Sequence, residues 1–166
     1  MKETVIQNGI SKGLSKETVL EISALLGEPS WMKAARLRSF DVFEKTPIPT
    51  VKDEGWRYTD LSRLDLDKIT PSIDLDQTMA EGPSTPGLVN GIEKGWEVSG
   101  QLVLKNSRRS VNLLAGELRE KGVIFADMVS AIKKYPDLVH EYFTNRLNRP
   151  MDKFTSLNGA LWGNGL

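Results

Sequence analysis

The residues best equipped for chemistry are Trp56, Arg57 and Tyr58, consecutive within Gly55-Trp56-Arg57-Tyr58-Thr59-Asp60-Leu61. Two aromatic faces could stack on a planar ligand while the guanidinium holds an anion. A phosphate site of this kind usually brings a glycine-rich loop entering a helix, and none accompanies it. The plainer expectation is that Trp56 and Tyr58 bury against neighbouring helices, because aromatic side chains dominate core area. Asp65, Asp67, Asp74 and Asp76 resemble a cation cluster at first glance. They lack the spacing of a calcium loop and read as a solvated acidic stretch. His140 is the only histidine and there is no cysteine. That leaves no thiolate nucleophile, no thiolate metal ligand and no disulfide within this sequence. Without co-ligands, His140 reads as a surface residue. A nucleic-acid surface through Arg108, Arg109, Lys133 and Lys134 would want a basic stripe, and no motif supports one. No catalytic residue emerges, so the chain is expected not to be an enzyme.

The element that organises the rest is a helix opened by Glu28-Pro29-Ser30-Trp31, running to about Lys45 and stopped by Pro47 and Pro49. Ser30 is a suitable N-cap, and Pro29 keeps the lead-in extended. At helical spacing Met32, Leu37, Phe40 and Phe43 form one stripe. Trp31, Ala34, Ala35 and Val42 form another, with Lys33, Arg36, Arg38, Asp41 and Glu44 between them. Either the helix is sandwiched within the domain, or one stripe meets a partner, where aromatic residues and arginine are favoured. A preceding helix is capped by Ser15, carries Val19, Ile22, Leu25 and Leu26 on one face, and ends at Gly27. The two form a helical hairpin. Beyond Trp56, Thr59 could cap a short turn, and Leu61, Leu64, Leu66 and Ile69 form a satellite apolar cluster.

Residues 1–14 read as a poorly ordered arm. From Thr70 to about Gly95, Pro71, Pro83 and Pro86 among Asp, Ser, Thr and Gly have the composition of a loop or linker. Gly100–Lys105 alternates like a strand, Asn106–Arg109 turns, and Val111–Leu114 returns. A short helix at Glu117–Lys121 ends at Gly122, and the apolar Val123-Ile124-Phe125 makes a third strand. Asp127 caps a helix bearing Met128, Val129 and Ile132. Pro136 opens another, with Leu138, Val139, Tyr142 and Phe143 on one side. Asp152 starts the last helix, with Phe154, Leu157 and Leu161 inward. The fold class is therefore α+β: a helical hairpin, a long Pro/Gly/Asp loop, then a small mixed sheet with covering helices.

A chain of 166 residues is about one domain and can bury roughly 70% of its unfolded surface. Lys and Arg total 22, as do Asp and Glu. Residues 60–99 carry 3 basic and 8 acidic side chains, whereas residues 100–166 carry 10 and 6. This asymmetry suits contact with another protein better than with nucleic acid. No apolar run approaches ~20 residues and no signal-peptide pattern opens the chain, so a cytoplasmic protein without membrane contact is expected.

Four stretches resemble the SufB/SufD family, the scaffold subunits of Suf iron–sulfur cluster assembly. They are Glu28-Pro29-Ser30-Trp31-Met32 with Arg36, Phe40 and Thr46-Pro47-Ile48-Pro49; Trp56-Arg57-Tyr58-Thr59-Asp60-Leu61, closer to the SufD side; Gly122-Val123-Ile124-Phe125 with Tyr135-Pro136-Asp137-Leu138-Val139; and Lys153 to Gly165. The resemblance implies the N-terminal region of such a scaffold, acting through protein contacts. Residues 15–70 would hold the hairpin and the Trp-Arg-Tyr-Thr segment, 71–99 a linker, and 100–150 a small α/β subdomain. Residues 151–166 would start a β-helix core otherwise absent from this chain. It implies a SufC-type ATPase and a SufB/SufD-type subunit, or a second copy, as partners of the full-length protein. No cofactor is expected in this chain. The candidate interaction and structural residues are Trp31, Arg36, Phe40, Trp56, Arg57, Tyr58 and Trp162. The alternative is a small ligand-binding or enzymatic module around Trp56, Arg57 and Tyr58, with His140.

Overall fold

The computed structural model describes residues 13–71, 73, 99–105, 108–143 and 152–165. Most of the expected arm and most of the 71–99 loop lie outside them. Helix α1 spans Lys16–Leu26: the Ser15 hydroxyl accepts from the Thr18 N–H, and Gly27 closes the other end at φ 64°. In that left-handed conformation the Gly27 and Glu28 N–H groups donate to Ala24 and Ser23 carbonyls. Only glycine adopts it without crowding its own β-carbon, so the chain can turn sharply into the next helix.

Helix α2 spans Ser30–Lys45. The expected Ser30 cap is not used; Pro29 is the capping residue, and its carbonyl receives the Met32 and Lys33 N–H groups. Proline holds the extended entry (φ −67°, ψ 158°), so Ser30 is already in the first turn. The buried face is a single broad stripe of Met32, Ala35, Arg36, Ser39, Phe40 and Phe43, rather than two opposed ones. On α1, Leu25 turns out to be partly exposed, while Thr18 and Ser23 are buried beside Val19, Ile22 and Leu26.

Short 3₁₀ turns follow at Glu54–Trp56 and Leu66–Lys68. Strands β1 (Gly100–Lys105) and β2 (Arg108–Leu114) pair antiparallel, with an irregularity at Val103/Leu104. Arg108 and Arg109 belong to β2, not to a tip. The α+β class holds, but the sheet among the described residues is this hairpin alone. Val123–Phe125, expected as a third strand, forms no strand there. Helix α3 is Gly116–Glu120, with Gly122 at φ 80° after it. Asp127 caps α4 (Met128–Lys134), accepting from the Ser130 N–H. Pro136 opens α5 (Pro136–Tyr142), on which Leu138 and Tyr142 face outward and only Val139, with Phe143 beyond the helix end, packs inward. Helix α6 (Lys153–Leu161) begins with a reciprocal box between Asp152 and Thr155.

Three clusters make the core. Val19, Phe40, Phe43 and Ala160 form the first, which Leu14 and Leu66 also cover. Ile22, Leu26, Ile73 and Val129 form the second, and Met32, Ala35, Ile132 and Phe143 the third. Leu161 touches the first two and Trp162 the last two, so the end of α6 joins all three. On α6 the fully buried positions are small: Ser156, Gly159 and Ala160. Small residues let α6 lie close against α2. The expected inward residues Phe154, Leu157 and Leu161 flank that contact, partly buried.

The Asp152 cap has a measurable consequence. The Thr155 N–H holds the Asp152 carboxyl below its ordinary value, and burial opposes this. A carboxylate that is more acidic when folded stabilises above its unfolded pKa, about 3.9, and that stabilisation is lost as pH falls through its lower folded value. Asp152→Ala should cost about 1 kcal/mol at neutral pH. Melts of both proteins from neutral pH down to acid should converge at the acid end, as part of the wild-type advantage disappears.

Candidate functional site

Arg36 sits one helical turn before Phe40 and is fully buried, with 0% of its side chain exposed; the Glu28 side chain is 3% exposed. An arginine inside a core requires a partner of matching shape. Glu28 supplies it across the Gly27–Pro29 bend: Arg36 Nε donates to Oε2 at 2.7 Å and Nη2 to Oε1 at 2.6 Å. Two parallel charge-assisted bonds fix the guanidinium plane. Its remaining edge donates from Nη1 to the Ala160 carbonyl at 2.9 Å. That carbonyl lies in the last turn of α6, where backbone oxygens lack helical partners. The Trp162 ring stacks against the same guanidinium, its centroid 4.4 Å from Cζ.

Aromatic contacts continue from there. Trp162 meets Phe143 at 5.9 Å, Phe143 meets Trp31 at 6.4 Å, and Trp31 meets His140 at 4.6 Å between centroids. Trp31, Arg36 and Trp162 therefore belong to one connected group, with Phe40 packed beneath it against Phe43. His140 is exposed, as expected, yet its ring closes the outer end of this row. The Trp162 Nε1–H and the Ser156 hydroxyl are buried without a hydrogen-bond partner among the described residues.

The residues that follow are held too. Asn164 Oδ1 accepts from the Val129 and Gly165 N–H groups, and Asn164 Nδ2 donates to Asp127 Oδ1. The Met128 N–H donates to the Gly165 carbonyl at 2.9 Å. Asn164 and Gly165 thereby satisfy the first two free N–H groups of α4, while Asp127 takes the third. Ordinary fraying does not describe this segment.

The other candidates do not converge. Trp56 stacks on Phe154 at 5.1 Å, which ties the loop to α6. Arg57 is exposed, and Tyr58, expected to bury against the hairpin, is 93% exposed. Successive tight turns hold them outward: Trp56 N–H to Asp53 carbonyl, Thr59 N–H to Trp56 carbonyl, and Ser62 N–H to Asp60 Oδ1. Asp60, rather than Thr59, is thus the turn acceptor. A stacking platform with two facing rings is not formed, and His140 lies elsewhere, on Trp31. Asp65 accepts from the Asp67 N–H and pairs with Lys68, while Asp74 and Asp76 lie outside the described residues. Among the described residues no three His, Asp or Glu gather as metal ligands would. Lys133 reaches over the C-terminal end of α1, its Nζ 4.0 Å from where a Gly27 β-carbon would stand, a position that complements the helix dipole.

Two partners in this site were missed as candidates in the sequence. Glu28 lies eight residues before Arg36, two turns along the helix it precedes, and that spacing was a usable signal. The Ala160 carbonyl has none, because any residue supplies one.

No protein-family model matches the chain, and no solved structure matches it. Curated relatives do. An iron–sulfur cluster assembly SufBD family protein of Staphylococcus epidermidis is 33% identical over 165 residues, covering 93% of this chain and 34% of the relative. The Staphylococcus aureus (strain USA300) protein of the same description is 32% identical over 165 residues, with the same coverage. One of Mycobacterium leprae is 30% identical over 164 residues, covering 93% of this chain and 18% of that protein. The chain thus spans about a third of the length of the staphylococcal relatives.

Removing one member of a buried ion pair strands the other in the core. Glu28→Ala should destabilise by about 3–5 kcal/mol, whereas a double Glu28→Leu, Arg36→Met variant should recover most of that loss. Urea titration of the three proteins, followed by Trp fluorescence, checks the order.

Proposed function

We propose, from the premise that the chain belongs to the SufBD family of iron–sulfur cluster assembly proteins, that it serves that assembly through protein contacts and performs no chemistry itself. The observation that carries this reading is the use made of its strongest polar group. Among the described residues the Arg36 guanidinium spends its hydrogen bonds and ring contact on Glu28, Ala160 and Trp162, inside the fold. Sulfur or iron transfer calls for thiolate or comparable ligands. This sequence has no cysteine and one histidine, whose ring rests on Trp31.

By this reading the helical body is a handle that sets relative positions, not an enzyme. It holds no cofactor of its own, and the cluster is the cargo of the complete assembly. Its partners are a SufC-type ATPase and a SufB/SufD-type subunit, or a second copy of this chain, engaged by the protein at whatever length its gene encodes. It works in the cytoplasm as a scaffold without nucleic acid. Among the described residues no helix is long and apolar enough to cross a membrane.

Co-purification tests the proposal. The complete gene product, tagged and isolated from its own cells, should retain the SufC-type ATPase. The 1–166 chain treated anaerobically with ferrous iron and sulfide should gain no visible cluster absorption after desalting. Loss of the ATPase from the complete product, or a stable cluster on the 1–166 chain, would overturn it.

A further inference from the structure

Asparagine followed by glycine occurs four times, at 8–9, 90–91, 158–159 and 164–165. Asparagine is thermally labile, and glycine offers the least hindered backbone nitrogen to attack its side chain. The first two pairs lie outside the described residues. Asn158 stands within α6, where the helical ladder engages the next N–H. Asn164 differs, because it follows that helix in the non-helical segment at 162–165.

There the Asn164 amide works as a latch. Oδ1 accepts from the Val129 N–H at 3.2 Å and from the Gly165 N–H at 2.9 Å, and Nδ2 donates to Asp127 Oδ1 at 3.2 Å. Two donors on one side and a carboxylate on the other fix which end of the amide is nitrogen. The Gly165 nitrogen thus sits against the carboxamide it can attack. Glycine at 165 answers no steric demand: its φ is not left-handed, and a β-carbon there would meet nothing within 4 Å among the described residues.

We propose that Asn164 is a deamidation site, and that its conversion releases the tail of α6 from α4. The Gly165 nitrogen loses its proton and bonds to Asn164 Cγ; the Cγ–Nδ2 bond breaks, and Nδ2 leaves as ammonia. Solvent water then opens the cyclic imide to aspartate or isoaspartate. The closed latch slows the first step, because the Gly165 N–H is engaged with Oδ1. The product cannot close in the same way. A carboxylate still accepts from Val129 and Gly165, but it sets a negative charge where Asp127, itself 3% exposed, requires a donor. Isoaspartate also adds a carbon to the main chain and displaces the Gly165 carbonyl from the Met128 N–H. A momentary opening of the tail is thereby made permanent. The device stands apart from the role in cluster assembly, since no partner takes part in it.

Ageing the intact chain in warm, mildly alkaline buffer and mapping its peptides by mass spectrometry follows amide loss at each pair. Conversion at Asn164 should be slower in the folded chain than in urea. Gly165→Ala, which has room, should slow it further while leaving exchange at residues 128 and 129 as it was. Asn164→Asp, the direct product, should speed hydrogen exchange at the Met128 and Val129 N–H groups by about tenfold or more, because a charge-assisted bond is lost and a like charge faces Asp127. Circular dichroism checks that this variant is folded. Exchanging the pair, Asp127→Asn with Asn164→Asp, puts a donor opposite the new carboxylate and should restore much of the protection. Three results would overturn the proposal: equal conversion at Asn164 in the folded chain and in urea, unchanged exchange in Asn164→Asp, or an exchanged pair no better protected than that single variant.

Discussion

The structure depends on a charge that has no route to solvent. Burying a guanidinium is costly unless both its charge and its donors are answered. Arg36 obtains the countercharge from a residue before its own helix and the last acceptor from a helix far along the chain. Each requirement fixes geometry. The Glu28 bond demands the left-handed Gly27 and the Pro29 entry, which together bring residue 28 back over the helix. The Ala160 bond sets how far α6 advances along α2, because only one turn of α6 presents an unused carbonyl at that point. Apolar packing alone would tolerate sliding between two such helices; a directional bond to one carbonyl does not.

Leu161 and Trp162 carry this constraint outward. They follow Ala160 directly, and between them they touch all three core clusters. Positioning Ala160 thus positions the residues that join α1 and α2 to α4 and α5. Asn164 and Gly165 then extend the same run onto the start of α4, where side chain and backbone replace the water that exposed helix ends normally bind. The tail is held by polar bonds at one end and by ring packing at the other.

Much of this was legible in the sequence where a local rule decides the outcome. Ser15, Gly27, Asp127, Pro136 and Asp152 mark helix ends as their side chains and backbone preferences require, and the β1–β2 alternation marks a hairpin. The misreadings fall where the deciding partner is distant. Arg36 was read as a charge between two stripes, because periodicity treats arginine as polar and cannot see Glu28 folding back or a carbonyl arriving from residue 160. Val123–Phe125 has the composition of a strand, but composition does not supply a pairing partner, and it pairs with no strand among the described residues. Leu138 and Tyr142 share a face with neither Val139 nor Phe143, although all four are apolar. Tyr58 is an aromatic residue whose position is set by tight turns at Asp53 and Asp60, so its size did not take it inside.

The bond from Arg36 to Ala160 spans 124 residues, and that separation has a consequence for how the chain reaches its native state. Closing a loop of that size costs on the order of 4 kcal/mol of chain entropy before any contact is gained. Helices α1 and α2 are local structures, yet their central cation lacks one acceptor and its stacking ring until residues 160–162 are present. On a ribosome, the hairpin would emerge long before Ala160 and Trp162 and would wait in a loosened form. Completion of the core is thus a late event, coupled to synthesis of α6 rather than to formation of the helices that surround Arg36.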